Sequence, residues 1–217
     1  MTGTSAFIQA GHSFTALDLL YGLMLPSGND AALALAENFG ISIFQLHHKQ
    51  KHKLHKGRPP ACNEDPLSIF IKEMNHTSRK MGLKSTWFTN PHGLSDPGSY
   101  STAADVGKMA AHAMKDPLVR KIAACITYKC EAKLKDGSTR EYVWNNTNIL
   151  LKGGELASLI PGGFNGIKTG ITPTAGPCLS VSHPDSGLIV TVLGCKSLEA
   201  RFTEVVKLTH WALTRLE

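Results

Sequence analysis

The sequence has no run of 18 or more apolar residues, and its opening, MTGTSAFIQAGHSF, carries neither a basic start nor a continuous apolar stretch. Neither a membrane span nor an export signal is expected within these residues. Paired cysteines are missing too. Cys62, Cys125, Cys130, Cys178 and Cys195 form no C-x-x-C, and no histidine stands at zinc-ligand spacing from them, so no metal site is expected. An odd count fits poorly with a disulfide framework, and the thiols read as free, mostly buried small hydrophobes. That leaves the redox compartment open. Internal repeats are absent as well.

Acidic residues are lacking from one stretch, HHKQKHKLHKGR at 47–58, whose Lys49, Lys51, Lys53, Lys56 and Arg58 nearly account for the net charge of +6. A nucleic-acid surface would interleave such cations with aromatic or polar base readers, which this run does not have. It reads instead as a solvated basic insertion at about 47–63, and no nucleic acid is expected as a partner.

What is present is enough apolar material, 42% of 217 residues, for one cored domain. Thr15 and Asp18 can cap a helix carrying Leu17, Leu20, Tyr21, Met24 and Leu25, which Pro26 and Gly28 break. Asn29 or Asp30 can cap the next helix, with Gly40 as its stop. Asp65-Pro66 opens a third, with Leu67, Phe70, Ile71, Met74 and Met81 on one face. A Pro- and Gly-rich ordered loop at 85–100 follows, and Ser101 can cap a fourth helix that Asp116-Pro117 closes. From Ile126 the period changes to two, and Asp136-Gly137 turns a hairpin. Strands are predicted at 166–170, 178–183 and 188–195, and an amphipathic helix at 197–216. Helices first, strands next and a last helix give an α+β class with a mostly antiparallel sheet. The helical lobe is expected at about 15–123 and the sheet lobe at about 124–217.

Two triplets carry chemistry. Ser27-Gly28-Asn29 falls on a tight corner between two helices, and Lys168-Thr169-Gly170 lies near the end of a predicted strand. A hydroxyl at Ser27 beside the amine of Lys168 can pass a proton, and the Asn29 amide can hold a peptide carbonyl. The Lys168 cation and Thr169 hydroxyl suit a carboxylate, and Gly170 lets a ligand backbone come close. His92, between Pro91 and Gly93, reads as turn and packing chemistry.

S-x-N and K-T-G belong to the motif set of penicillin-binding proteins and class A β-lactamases. With LLYGLMLPSGNDAALALAE, FTNPHGLSDPGSYSTAADV, NNTNILL and GIKTGITPTAGPCL, the chain resembles the serine-type D-alanyl-D-alanine carboxypeptidases over nearly its whole length; the basic run is the main internal departure. The resemblance implies a β-lactamase/transpeptidase-like α+β fold, with an antiparallel sheet, a C-terminal helix and a helical lobe. It implies an acyl-enzyme mechanism on peptidoglycan stem peptides, β-lactams as further ligands, no cofactor, and an extracytoplasmic location. It makes Ser27, Asn29 and Lys168 catalytic and Thr169 and Gly170 substrate-binding, with the amide of Ile171 as an oxyanion donor.

The family's nucleophile and its basic partner lie in S-x-x-K, well before S-x-N, and here no serine has a lysine three positions later. Only 26 residues precede Ser27. The expectation is therefore a partial domain in which the N-terminal strands and nucleophile helix are missing, so that the chain alone is inactive. A non-catalytic relative that keeps a cleft for D-Ala-terminated peptides is the other reading.

Overall fold

The computed structural model describes residues 3–51 and 63–216, without the side chains of residues 48–51. Five helices come first: α1 (Ala16–Met24), α2 (Asn29–Lys51), α3 (Pro66–Lys80), α4 (Ala103–Ala113) and α5 (Pro117–Ala123). The hairpin β1 (Thr127–Lys133) and β2 (Thr139–Asn145), a short 3-10 turn and the single-turn α6 (Glu155–Ser158) follow. Three antiparallel strands, β3 (Ile167–Thr172), β4 (Gly176–Ser182) and β5 (Ile189–Val192), form the main sheet, and α7 (Ala200–Leu213) lies across it. The α+β class with antiparallel pairing is as expected.

Local chemistry explains most of these boundaries. Thr15 accepts from the Asp18 amide while Asp18 accepts from the Thr15 amide, the reciprocal cap read from the sequence. Asp65 caps α3 ahead of Pro66, whose missing N–H is harmless at a helix start. Three expectations are corrected. Gly40 does not stop α2, which runs to Lys51. A Cβ at Gly40 would fall 2.0 Å from the Pro66 carbonyl oxygen, so this glycine lets α2 and α3 come close. Residues 47–51 of the expected insertion are accordingly helical, and the His47 imidazole meets Glu73 on α3 at 3.4 Å; residues 52–62, with Cys62, lie outside the described residues. Thr102 caps α4 in place of Ser101, and Asp116, beyond ending that region, caps α5.

Packing gathers into two larger cores and a small one between them. Behind the sheet, Leu179, Val181 and Val190 meet Phe202, Val205 and Val206 of α7. Each such side chain taken out of water contributes roughly 1.5–3 kcal/mol. Toward the N-terminus, Tyr21 of α1 and its C-cap Leu25 pack with Ala132, Tyr142 and Trp144 of the hairpin, the Tyr21 and Tyr128 rings stacking at 3.7 Å between centroids. The hairpin thus packs on α1, and its Trp144 indole donates to the Ala6 carbonyl at 2.8 Å. Between the two cores, Met24, Ala110, Ala123, Ile167 and Ile189 form the small cluster. The four described cysteines are free, but half-buried instead of buried.

Candidate active site

The corner between α1 and α2 is backbone under constraint. Ser27 has φ +61°, a left-handed conformation uncommon for a residue with a Cβ and one that clusters at functional sites. Three hydrogen bonds hold it: Thr4 Oγ1 donates to the Ser27 carbonyl (2.6 Å), the Gly28 amide to Gly22 O (3.1 Å) and the Asn29 amide to Thr4 O (3.0 Å). Gly28 has a steric reason of its own. A Cβ there would lie 2.6 Å from the Gly22 carbonyl and 2.8 Å from the Ala6 methyl. Asp30 then ties in residues 5–8. Burial would raise its carboxyl, but donors from Ser5, Ala6, Ala31 and Ile8 hold it below the usual carboxylate range.

Asn29 is buried, and a methyl placed on Gly3 would sit 2.5 Å from its amide nitrogen and 3.0 Å from Leu94 Cδ2. The 85–101 loop therefore reaches the same corner. That loop is firmly held: Asn75 of α3 accepts from the Phe88 amide and donates to its carbonyl, and Asp105 accepts from the Ser85 amide and the Thr86 hydroxyl. Within it, His92 Nδ1 accepts from the Leu94 amide, which is turn chemistry as expected, and burial lowers its pKa.

Lys168, Thr169, Gly170 and Ile171 follow one another along β3. Among the described residues β3 is an outer strand of its sheet, ordered β3-β4-β5. Which way its backbone groups face follows from Pro177, the register partner of Ile171. Proline has no N–H, and the Pro177 carbonyl already accepts from the Cys195 amide at 2.9 Å, on the other side of β4. Ile171 and Pro177 are thus a non-hydrogen-bonded pair, and the Ile171 N–H and C=O, like those of Thr169 two residues earlier, face the free edge. Lys168 Nζ donates to Thr169 O at that edge (3.0 Å).

The two triplets, some 140 positions apart, are joined in two ways. The Thr147 hydroxyl meets Leu25 O (3.4 Å) and the Thr169 hydroxyl (2.5 Å), while the Thr147 amide also donates to Leu25 O (3.2 Å). Met24, just before the corner, packs against the small cluster that includes Ile167, just before Lys168. Asn146 and Asn148 support the bridge. Asn146 Nδ2 donates to Ala123 O and Cys125 O, and its Oδ1 accepts from the Asn148 amide; Asn148, fully buried, donates to Gly166 O at the head of β3. The segment NNTN is a polar joint between α1, α5 and β3. Its sequence signal was a run of side chains suited to bonding backbone groups.

A second residue that sequence reasoning missed is Arg201, in the first turn of α7. It is 8% exposed, its Nη1 donates to Gly170 O (3.3 Å), and its Nε is buried without a hydrogen-bond partner. The available signal was a cation immediately before the buried Phe202 of an amphipathic helix. Burial, and then the charge of Arg201, pull the Lys168 amine down to about 8. Among the described residues neither cation has a carboxylate partner within ion-pair distance. Two enclosed cations beside a hydroxyl and an outward-facing backbone edge form a place for an anion attached to an extended chain.

Residues 67–197 match the D-alanyl-D-alanine carboxypeptidase family, a span that includes the K-T-G strand and most of the 85–101 loop's supports. The chain belongs to that family. It is 33% identical over 96% of its length to the D-alanyl-D-alanine carboxypeptidase of Streptomyces sp. strain K15, and 31% identical over 100% of its length to the D-alanyl-D-alanine carboxypeptidase DacF of Bacillus subtilis. It covers 64% and 47% of those proteins, so it spans about half to two thirds of the length of these curated relatives. The solved Streptomyces K15 DD-transpeptidase superposes with a TM-score of 0.79 at 32% identity, over 98% of this chain and 72% of that one. A D-alanyl-D-alanine carboxypeptidase from Mycobacterium tuberculosis gives 0.71 at 26% identity, over 99% of this chain and 70% of that one. The fold is accordingly that of the penicillin-binding, β-lactamase-like DD-peptidases.

Proposed function

We propose that this chain carries substrate-binding elements of a serine-type D-alanyl-D-alanine carboxypeptidase that acts on peptidoglycan stem peptides through an acyl-enzyme. The observation that carries the reading is the pairing of Lys168 and Arg201 beside the free edge of β3. A peptide's terminal carboxylate sits against Lys168, Arg201 and the Thr169 hydroxyl. The carbonyl to be cleaved then lies at the Ile171 N–H, a donor of the type worth about 2.7–4 kcal/mol to a developing oxyanion. Asn29 holds a peptide carbonyl from the opposite side, and Gly170 gives the ligand backbone room. Lys168, with its amine near 8, exchanges a proton readily near neutral pH, and Ser27 relays that proton toward the departing D-alanine. β-Lactams, which end in a comparable carboxylate, are further ligands of the same cleft. The location is extracytoplasmic, where peptidoglycan is.

The 217 residues contain no S-x-x-K pair, and covalent catalysis needs an activated nucleophile. By themselves these residues bind without cleaving. That absence equally favours a second reading, a binding module that keeps the cleft for D-Ala-terminated peptides.

Calorimetric titration with an acetylated tripeptide ending in D-Ala-D-Ala tests the common core of both readings. The free acid is expected to bind at least tenfold more tightly than its C-terminal amide at pH 7. The advantage should fall as pH rises above about 8, where unliganded Lys168 loses its charge. Equal binding of acid and amide would sink the carboxylate assignment. To separate the two readings, the chain is fused behind an S-x-x-K-bearing N-terminal segment from a family member. Release of D-alanine supports the enzyme, and its absence despite intact binding supports the module.

A further inference from the structure

Among the described residues β3 pairs with a neighbour on one side, so the sheet restrains its free edge from that side alone. Tethers from outside the sheet add to this, residue by residue. The Thr169 hydroxyl meets that of Thr147, and Arg201 donates to Gly170 O. At the last residue of the strand the tether is made by Thr172, whose Oγ1 accepts from Ser95 Oγ of the 85–101 loop at 2.7 Å and from the Ala175 amide at 3.0 Å. Those two bonds occupy both lone pairs of the hydroxyl oxygen. Ser95 also meets the Thr174 hydroxyl, so one side chain pins two residues around the turn from β3 to β4.

Ser95 is presented by backbone that is itself held. Before it, the Leu94 amide donates to His92 Nδ1 at 3.2 Å and the Leu94 carbonyl accepts from Asn90 Nδ2 at 2.9 Å. After it, the Asp96 carboxylate accepts from the Gly98 amide, the Ser99 amide donates to Asp96 O, and the Ser99 hydroxyl meets that of Thr89. The bond from Ser95 to Thr172 therefore ties a firm loop to a strand end 77 positions away in sequence. Between this tether and the one at Gly170 stands Ile171, with its N–H on the free edge.

We infer that Ser95 is a positioning residue: acting through Thr172, it holds the outgoing end of β3 so that the Ile171 N–H is aimed at the carbonyl to be cleaved. Aim matters because a hydrogen bond weakens steeply once its angle at the proton falls below about 120°. Without the Ser95 hydroxyl the strand end keeps its bonds to Ala175 and β4 but can twist about them, and the donor swings off its target. Ser95 is itself exposed, so water replaces the lost partner and the fold keeps its stability. The inference rests on the carbonyl placement proposed above.

The test measures, by calorimetry, binding of two peptides to the 217-residue chain, to Ser95→Ala and to Ser95→Thr. One is Nα-acetyl-L-alanyl-D-alanyl-D-alanine; in the other an E-alkene replaces the last amide, keeping its shape without the carbonyl oxygen. The unaltered chain is expected to prefer the amide peptide about tenfold, the upper range for one net hydrogen bond. S95A should cut that preference to about twofold by weakening the amide peptide alone, with an unchanged urea midpoint. S95T, which keeps the hydroxyl, should restore it. A preference that survives S95A, a loss shared equally by both peptides, or a loss that S95T does not restore would overturn the positioning role and leave the functional reading standing. Equal binding of the two peptides to the unaltered chain, or binding of neither, would overturn the carbonyl placement and the inference with it.

Discussion

Replacing Lys168 by methionine should make the protein more stable at neutral pH, although it removes a hydrogen bond from the candidate site. Taking the amine from 10.5 to about 8, mainly by burial and secondly through Arg201, corresponds to about 3 kcal/mol of unfavourable free energy in the protonated folded state. The sign follows from proton counting. Between about 8 and 10.5 the unfolded chain keeps the lysine proton and the folded chain does not, so stability rises with pH across that window. Below it the full penalty is present. Methionine has a similar volume and no charge. Its substitution leaves the Thr169 carbonyl without the Lys168 donor, at about 1–2 kcal/mol. The variant should therefore be about 1–2 kcal/mol more stable at pH 7, and the advantage should disappear or reverse by pH 10.5. Urea midpoints at half-unit pH intervals from 7 to 10.5 supply the measurement. Other groups titrate in that range: burial pushes Tyr21, Tyr128, Tyr142 and Cys195 upward and Cys130 to about 11, which makes stability fall as pH rises. They are common to both proteins, so the difference between the two curves isolates Lys168. A difference that stays constant from pH 7 to 10 would refute the buried, weakened cation and with it the basis for the anion site.

Incubating the 217-residue chain with a labelled penicillin should leave no stoichiometric covalent adduct by intact mass, and a serine acylated at high yield would contradict the missing S-x-x-K. Thr147→Val should lower stability by about 0.5–1.5 kcal/mol and weaken binding of a D-Ala-D-Ala peptide, because it cuts the Leu25–Thr169 bridge; unchanged peptide affinity would count against the bridge as the link between the triplets. Asn148→Ala should be more damaging, about 2–3 kcal/mol by urea melt, since it strands the buried Gly166 carbonyl and the Leu150 amide. Gly40→Ala should destabilise by about 1–3 kcal/mol despite better helix propensity, because the added methyl meets the Pro66 backbone; a gain in stability would mean that α2 and α3 separate freely.

What could be read from the sequence and what could not divide along physical lines. Caps, turns and alternating strands depend on residues within a few positions of one another, so Thr15 with Asp18, Asp65 with Pro66, and the β1–β2 hairpin were all visible. Gly40 was misread because glycine serves two ends, stopping a helix and admitting a neighbour, and only the position of Pro66 distinguishes them. Asp116-Pro117 had the same ambiguity: the pair that ends one helix also starts the next. Arg201 and the NNTN joint act across the chain, between segments that no local pattern connects.

The candidate site shows the same division within a single triplet. Lys168, Thr169 and Gly170 are readable as residue types, yet what makes them a site is the direction of the backbone that follows. That direction depends on Pro177, a residue in the neighbouring strand whose contribution is the hydrogen bond it cannot make. With any other residue at that position, the register alone would leave open whether the Ile171 amide pairs with β4 or faces outward. The Cys195 amide bonded to the Pro177 carbonyl excludes the first, because it turns that acceptor to the other side of β4, and the absent proline N–H leaves the Ile171 carbonyl no donor there either. At the corner between α1 and α2, Gly28 works in the same way, by the absence of a Cβ where Gly22 and Ala6 leave no space. Two of the groups that shape the two triplets' surroundings are therefore legible only as omissions, a missing N–H and a missing methyl, and each acquires its meaning from atoms in another segment of the chain.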